Sequence, residues 1–321
     1  MLLIGFDHPE HWFGGFGDRV VGIINIRLIA RLLNEEFKIT WTKENVKKYI
    51  DYSKYDIGDN LVDVDITFNY IDSSRLKENV AHVYSYYLKN KGKNIKFWLN
   101  QYLSKHLYSY TFLADRNYHT DIIEEYKLLY IDILKPTEYT ANKINELIDD
   151  SDIIIGIQIR CGADAKLSNN ICKSEVDRHK GVYMSPPWRH ISQTQKLDNE
   201  FNDIFKKIKM KCDTKYKSYK IFITSDYMFD SEMDLFRLAS NAWNSENLLY
   251  LKEPPQHLDR KPIGDFSKFY IDNYILSQKV TELYFSSWSN YGKIAALSCN
   301  HDDIYDIIDI YTKIEKKKLL P

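Results

Sequence analysis

The sequence is poor in the residues that build metal clusters, disulfide frameworks and linkers. Its 321 residues include only 4 cysteines, 12 glycines and 8 prolines. The cysteines lie far apart and form no Cys-x-x-Cys pair, which argues against a zinc site and against a disulfide framework. So few glycines and prolines exclude a long linker or a low-complexity region.

An excess of charge of one sign is also missing. Lysine and arginine together number 44, and aspartate and glutamate together number 45, so the sequence does not favour nucleic acid as a partner. No apolar run is long enough to span a bilayer, and residues 1–6 lack the basic start and the length of a signal sequence. These absences predict a cytoplasmic protein without a membrane span.

What the sequence has is an alternation of strand-like and helix-like segments. Residues 2–6 and 37–41 have the apolar pattern of strands, and residues 20–33 between them carry apolar side chains at helical spacing. A weaker strand is predicted over residues 62–68. Further helices are predicted over residues 75–90, 95–106, 121–134 and 140–148.

The alternation restarts near the middle of the chain. Strands are predicted over residues 153–160, 219–224, 247–251 and 280–285. Helices are predicted over residues 198–211, 231–241, 266–277 and 289–297, and an amphipathic helix over residues 304–316 closes the chain. Such alternation predicts an α/β fold with parallel sheets. We expect two Rossmann-like domains, residues 1–150 and 151–321, facing across a cleft, with ligands at the carboxyl ends of the strands.

A glycine-rich loop precedes the first predicted helix. Residues 13–19 read Phe-Gly-Gly-Phe-Gly-Asp-Arg. Glycines at a helix N-terminus let backbone N–H groups approach an anion, whereas a flexible loop without function has the same composition. The spacing of the glycines and the ending of the next strand do not fit a dinucleotide-binding fingerprint.

The strand over residues 153–160 ends on a side chain that is costly to bury without an anion. Arg160 presents a planar fork suited to two phosphate oxygens; a structural ion pair with Asp164 or Asp226 is the alternative. Gln158 shares a face with Arg160 because side chains alternate along a strand. It is either a ligand contact or a buried amide that ties down a neighbouring loop.

A loop rich in hydroxyl groups follows the predicted strand at 280–285. Residues 286–292 read Ser-Ser-Trp-Ser-Asn-Tyr-Gly. Small hydroxyl side chains and free helix N–H groups make an anion cradle, although an ordinary helix cap looks alike. Together with Arg160, this loop predicts a diphosphate bound in the second domain. Asp226 ends a further strand and either binds a base or ribose or caps the next helix.

Several of these stretches together carry a resemblance to a known family. They are Gly-Gly-Phe-Gly-Asp-Arg at 14–19, Leu-Lys-Pro-Thr at 134–137, Ile-Gly-Ile-Gln-Ile-Arg at 155–160, Asp-Asn-Tyr-Ile-Leu-Ser at 272–277 and Ser-Trp-Ser-Asn-Tyr-Gly at 287–292. In this order they resemble motifs of the GDP-fucose-dependent fucosyltransferases. The form of the stretch at 155–160 is most similar to that of the xyloglucan galactoside α-1,2-fucosyltransferases.

The resemblance implies a function as well as a fold. It implies a GT-B fold and an inverting transfer of L-fucose from GDP-fucose to a sugar hydroxyl of a glycan or glycoconjugate. The implied linkage is α-1,2 to galactose, and the family uses no metal or other cofactor. Taken together with the strand-end positions above, it leads to a set of predicted donor-binding residues, which are Gly15, Gly17, Arg19, Gln158, Asp226, Ser287, Trp288, Ser289 and Tyr291.

The resemblance assigns the leaving-group role to Arg160, which would contact the donor diphosphate. For the base that accepts the proton of the acceptor hydroxyl, we take Asp18 as the first candidate and Asp164 as the second; a helix cap or an ion pair is the alternative for each. Two other functions remain open. One is a metal-dependent glycosyltransferase that uses Asp-Val-Asp at residues 63–65, and the other is a non-catalytic nucleotide- or glycan-binding protein of the same fold.

Overall fold

Two parallel β-sheets form the framework of the protein in this computed structural model. The structure describes residues 1–6, 15–41, 45–57, 64–69, 88–98, 118–149, 152–159, 194–225, 235–251, 266–286 and 289–307. The α/β class with parallel sheets, which the alternating segments predict, is confirmed.

The first sheet comes from the N-terminal half of the chain. Its strands are β1 (Leu2–Gly5), β2 (Phe37–Thr40), β4 (Ile66–Asn69) and β5 (Ile95–Trp98), in the order β2-β1-β5-β4, and all neighbours are parallel. This half also contains α1 (Phe16–Leu33), a 3-10 turn (Val46–Lys48), α2 (Tyr118–Lys127), a π-helical turn (Leu129–Ile133) and α3 (Glu138–Leu147). Two short strands, β3 (Ile50–Asp51) and β6 (Lys135–Pro136), pair antiparallel with each other.

The second sheet comes from the C-terminal half. Its strands are β7 (Ile154–Ile159), β8 (Lys220–Ser225), β9 (Leu248–Leu249), β10 (Glu282–Phe285) and β11 (Ile304–Asp306), in the order β11-β10-β7-β8-β9, again all parallel. The helices are α4 (Thr194–Lys215), α5 (Leu235–Ser240), α6 (Ser267–Gln278) and α7 (Asn290–Ser298), with a 3-10 turn at Ser245–Asn247. The central strand β7 is buried at every position, as expected for a parallel sheet covered on both faces.

One predicted helix of the first half is wrong. Residues 95–98 of the predicted helix 95–106 form strand β5, and residues 99–106 lie outside the described part of the chain. Ile95 and Phe97 are fully buried, and β5 pairs with β1 on one side and β4 on the other. Pairing partners far away in the sequence therefore override the local pattern.

Two predicted boundaries also need correction. The closing helix expected over residues 304–316 is wrong at its start, because residues 304–306 form β11, which extends the sheet beside β10; residues 308–321 are not described. Helix α1 begins at Phe16 and not at Val20, so the glycine-rich loop is helical from Phe16 onward. The helix starts this early because the Phe16 ring is buried against aromatic rings of the second half.

A continuous apolar core joins the two halves. It contains β1 and α1 of the first half together with Tyr270 and Ile275 of α6, Phe285 of β10 and Ile294 of α7. A second core lies on the opposite face of the second sheet, where alternate residues of β7 pack against α4 and α5. Helices α6 and α7 thus bury apolar surface against elements of the first half, and the domain boundary near residue 150 stays a prediction.

A buried ion cluster fastens α1 to α2 and to the π-helical turn. Glu125 is 1% exposed and forms ion pairs with two arginines: Nη1 of Arg27 contacts its Oε2, and Nε of Arg31 lies 2.7 Å from its Oε1. Nη2 of Arg27 also lies 3.3 Å from Oδ2 of Asp132. A buried carboxylate between two guanidinium groups is stable only while both partners remain.

Replacing Glu125 by glutamine should therefore destabilise the protein. The variant leaves the Arg27 charge buried without its carboxylate, so we expect Glu125→Gln to lower the free energy of unfolding by about 3 kcal/mol. Glu124→Gln is the matched control, because Glu124 is 58% exposed and lies 3.6 Å from Arg31; its effect should stay within about 0.5 kcal/mol. Urea denaturation measures both, and equal losses would contradict the buried role of Glu125.

Candidate functional site

The predicted site residues of the second half that the structure describes lie at the carboxyl edge of the second sheet. Gln158 of β7 is paired with Phe285 of β10 on one side and with Thr224 of β8 on the other. Because all these strands are parallel, their carboxyl ends meet at the same edge, where open α/β sheets bind ligands. Ser286 follows β10 directly and begins the loop to α7.

Gln158 ties that loop to the sheet. The N–H of Ser286 donates to the main-chain oxygen of Gln158 at 3.1 Å and to its side-chain Oε1 at 3.2 Å. A Cβ added to Gly292 would lie 2.4 Å from the same Oε1 and 3.2 Å from the carbonyl oxygen of Ser286. Only a glycine lets α7 approach the strand ends this closely. The side chain of Gln158 thus holds a neighbouring loop, which was one of its two predicted roles, and its contact with a donor stays a prediction.

The N-terminus of α7 carries no side-chain cap. Ser289 occupies the N-cap position and is largely buried, but its hydroxyl forms no capping bond to the helix. By contrast, the N–H of Thr140 donates to Oγ1 of Thr137 at the start of α3. The first N–H groups of a helix have no partner within the helix. The Ser289 hydroxyl therefore does not occupy the first N–H groups of α7.

The N-terminus of α1 is organised in a similar way. Gly15 is the N-cap residue, and a Cβ built on it would meet no described atom within 4 Å. Gly17 is buried in the first turn, and Asp18 in the same turn is partly buried.

The ring of Phe16 brings the two helix N-termini together. Its centroid lies 6.3 Å from that of Tyr291 in α7, 5.9 Å from that of Phe266 and 6.3 Å from that of Tyr270. All three contacts are edge-to-face, the arrangement that aromatic rings prefer. The start of α1 and the start of α7, which lie far apart in the sequence, are therefore neighbours in the fold.

Arg19 is held by aromatic rings on the first-half side of this region. Its side chain is almost completely buried. The guanidinium carbon lies 5.5 Å from the centroid of Trp41 and 5.9 Å from that of Phe6. Such stacking stabilises a desolvated cation, and it fixes the start of α1 against β1 and β2. Contact between Arg19 and a donor stays a prediction.

A buried polar group behind the sheet edge was missed by the sequence analysis. Oγ1 of Thr224 donates to Oδ2 of Asp272 at 2.6 Å, and Nζ of Lys268 lies 3.1 Å from the same oxygen. Nζ of Lys268 also donates to the carbonyl oxygen of Leu251 at 3.1 Å. The i,i+4 spacing of Lys268 and Asp272 was the available signal, but in a sequence this spacing normally indicates an exposed helical pair.

Five predicted site residues lie outside the described part of the chain. They are Arg160, Asp164, Asp226, Ser287 and Trp288.

The position of Asp65 does not favour the metal-clamp alternative. Asp63 is not described, whereas Asp65 precedes β4 at the amino edge of the first sheet, away from the strand ends where ligands bind. Its Oδ2 accepts a hydrogen bond from the N–H of Asn94 at 2.7 Å. Within the described ranges, no three histidine, cysteine, aspartate or glutamate side chains are grouped in a way that could hold a metal ion.

The fold is shared with solved fucosyltransferase structures. The NodZ α-1,6-fucosyltransferase of Bradyrhizobium, crystallised with GDP, superposes with a TM-score of 0.51 at 12% identity, covering 95% of this chain and 94% of that chain. The same enzyme soaked with GDP-fucose gives a TM-score of 0.50 at 12% identity over the same shares of both chains. The expected GT-B type of α/β fold is thereby confirmed.

A third fucosyltransferase structure has a TM-score below 0.5, so the conclusion about the fold does not rest on it. It is Arabidopsis thaliana FUT1 in complex with GDP, with a TM-score of 0.47 and 12% identity over 95% of this chain and 69% of that chain. No protein-family model matches the sequence, and no curated protein matches it by sequence. Among the described helices, none combines the length and the apolar character needed to cross a membrane.

Alanine at position 292 should disturb the sheet edge, whereas alanine at position 15 should not. Gly292→Ala places a methyl group against Oε1 of Gln158, and we expect a loss of about 1–3 kcal/mol in the free energy of unfolding, typical of overpacking. Gly15→Ala meets open space and should cost less than about 1 kcal/mol. Chemical denaturation compares the two variants. A Gly292→Ala protein as stable as wild type would show that the close approach of α7 is not required.

Proposed function

We propose that the protein is an inverting glycosyltransferase that transfers L-fucose from GDP-fucose to a sugar hydroxyl of a glycan or glycoconjugate. The observation that carries this proposal is the meeting of two helix N-termini without side-chain caps, those of α1 and α7, at the carboxyl edge of a parallel sheet. Such termini bind phosphate groups through their N–H groups and their dipoles. The fold is that of an enzyme crystallised with GDP, and the sequence motifs resemble those of the same class.

Stabilisation of the leaving GDP is the main chemical task of such a site. Negative charge collects on the β-phosphate as the glycosidic bond breaks, and fixed donors aimed at that charge lower the barrier. We assign this role to Arg160, which follows the last residue of β7, together with Ser287, Ser289 and the first N–H groups of α7. Gly15, Gly17, Gln158, Trp288 and Tyr291 belong to the same two loops and to the strand between them. We propose that these fixed charges and dipoles serve without a metal ion.

The acceptor hydroxyl must lose a proton during the transfer. A carboxylate within hydrogen-bonding reach of the acceptor accepts it. We propose Asp18 as this base, because its place in the first turn of α1 puts it on the side of the site opposite α7. Asp164 is the second candidate.

The two halves of the chain divide the substrates between them. We propose that residues 151–321 bind the donor, with Asp226 at the base or ribose, and that residues 1–150 face the acceptor. We further propose an α-1,2 linkage to galactose, and this rests on the motif at residues 155–160 alone. The structures with the same fold belong to an α-1,6-fucosyltransferase, so the fold is compatible with more than one linkage.

Thermal denaturation in the presence of nucleotides tests the donor. Because a ligand that binds only the folded protein stabilises it, GDP or GDP-fucose at a hundred times its dissociation constant should add about 2.7 kcal/mol to the free energy of unfolding. UDP and UDP-galactose at the same concentration serve as controls. A larger shift with UDP than with GDP would overturn the assignment of the donor.

Turnover of the Arg160→Ala variant tests the catalytic role. We expect kcat for transfer from GDP-fucose to fall about a hundredfold or more, the usual effect of removing one donor to a developing charge. Arg237→Ala, which changes an exposed arginine on α5, is the control and should retain activity. Wild-type activity should also survive EDTA. GDP binding without turnover over a panel of acceptors would favour the non-catalytic alternative.

A further inference from the structure

The π-helical turn at Leu129–Ile133 delivers one side chain into the second half of the protein. Its Tyr130 is 3% exposed, and the hydroxyl donates a 2.6 Å hydrogen bond to Oδ1 of Asn273 in α6. The two residues are 143 positions apart in the sequence. Single π-helical turns are rare, and those that occur often lie at functional sites. The long-range contact of Tyr130 is therefore a candidate for a functional role.

Asn273 passes the contact on to α7. Its Nδ2 donates at 2.8 Å to the main-chain oxygen of Tyr291, which lies in the first turn of that helix. Asn273 is completely buried; its bond with Tyr130 is buried, and its bond with Tyr291 is partly buried. These two hydrogen bonds therefore connect the π-helical turn, through α6, to the first turn of α7 at the sheet edge.

The chemistry of each member fits only one direction of bonding. Burial raises the pKa of Tyr130 well above its usual value, so its hydroxyl remains protonated and donates. The asparagine amide then accepts with its oxygen and donates with its nitrogen, a pair of roles that neither an ionised carboxylate nor leucine can fill. Tyr291 has a second anchor, since its own hydroxyl donates to the carbonyl oxygen of Phe269 at 2.8 Å.

We propose that Tyr130 and Asn273 are positioning residues that hold the first turn of α7 in the geometry required for binding the diphosphate. Neither residue touches the substrate; both act through the carbonyl group of Tyr291. The identity of the ligand rests on the proposed function, whereas the fixing of the turn rests on the hydrogen bonds alone. The N-terminal half of the chain, which we assign to the acceptor, thus supplies the tyrosine that holds the first turn of α7 on the donor side.

Hydrogen exchange of the intact protein, followed by GDP binding, tests the proposal. In Tyr130→Phe one buried hydroxyl is lost. In Asn273→Asp, measured at a pH at which the new carboxylate is ionised, the donor to Tyr291 is lost while an acceptor for Tyr130 is kept. Within residues 290–293 the readout is the amide of Lys293, which donates to the main-chain oxygen of Ser289 at 2.9 Å. We expect its exchange to rise about fivefold or more in both variants, as for the loss of one hydrogen bond. The dissociation constant for GDP should rise by a similar factor.

Tyr52→Phe is the matched control. The Tyr52 hydroxyl is also buried and donates to a main-chain oxygen, that of Trp41, at 2.8 Å. This variant should lose similar thermal stability and leave both the exchange of residues 290–293 and GDP binding unchanged. If Asn273→Asp does not fold, Tyr130→Phe decides the question, since it removes a single oxygen atom.

The outcomes separate this proposal from the proposed function. If Tyr130→Phe changes exchange in residues 290–293 no more than Tyr52→Phe does, the positioning role is overturned. If wild-type protein does not bind GDP, the proposed donor is wrong, and the exchange comparison still decides whether Tyr130 and Asn273 hold the turn. Faster exchange with unchanged GDP affinity in a GDP-binding wild type would overturn the link between the turn and the diphosphate.

Discussion

The arrangement of the site depends on the packing of the Phe16 ring. Phe16 is the first residue of α1, and it packs against rings from α6 and α7. Burying a phenylalanine side chain contributes about 1.5–3 kcal/mol, and edge-to-face ring pairs add to that. Because α1 follows β1 and α7 follows β10, this one ring sets the position of the first sheet relative to the second. The helix N-termini meet as a consequence of core packing.

Helix α6 shows how polar groups are built into this core. It is buried on nearly all sides, yet Lys268, Asp272 and Asn273 are among its most buried residues. Burying such groups is costly unless each finds a partner. The Lys268–Asp272 pair bonds toward β8 through Thr224, and Asn273 bonds toward the first half and α7. These bonds restrict α6 to one orientation. A purely apolar helix of the same shape would lack this restriction.

Local patterns in the sequence account for much of the fold and only part of the site. The alternation of strands and helices predicts both sheets, and period-two alternation places Gln158 on the face that turns out to meet α7. Strand β5 was missed because its pairing with β1 and β4 is non-local. The roles of Gly292 and Tyr130 depend on distances between segments far apart in the chain. No spacing rule within one segment contains that information.

The two helix N-termini at the sheet edge differ in charge, and this difference indicates where an anion binds. Both carry the partial positive charge of a helix dipole, so their approach is unfavourable unless negative charge lies near them. The first turn of α1 contains Asp18, whereas the first turn of α7 contains no acidic residue and Ser289 provides no cap. Among the described residues, the first turn of α1 thus carries an acid that partly balances its positive end, and the first turn of α7 carries none. An anion near these two termini is accordingly stabilised more by α7 than by α1.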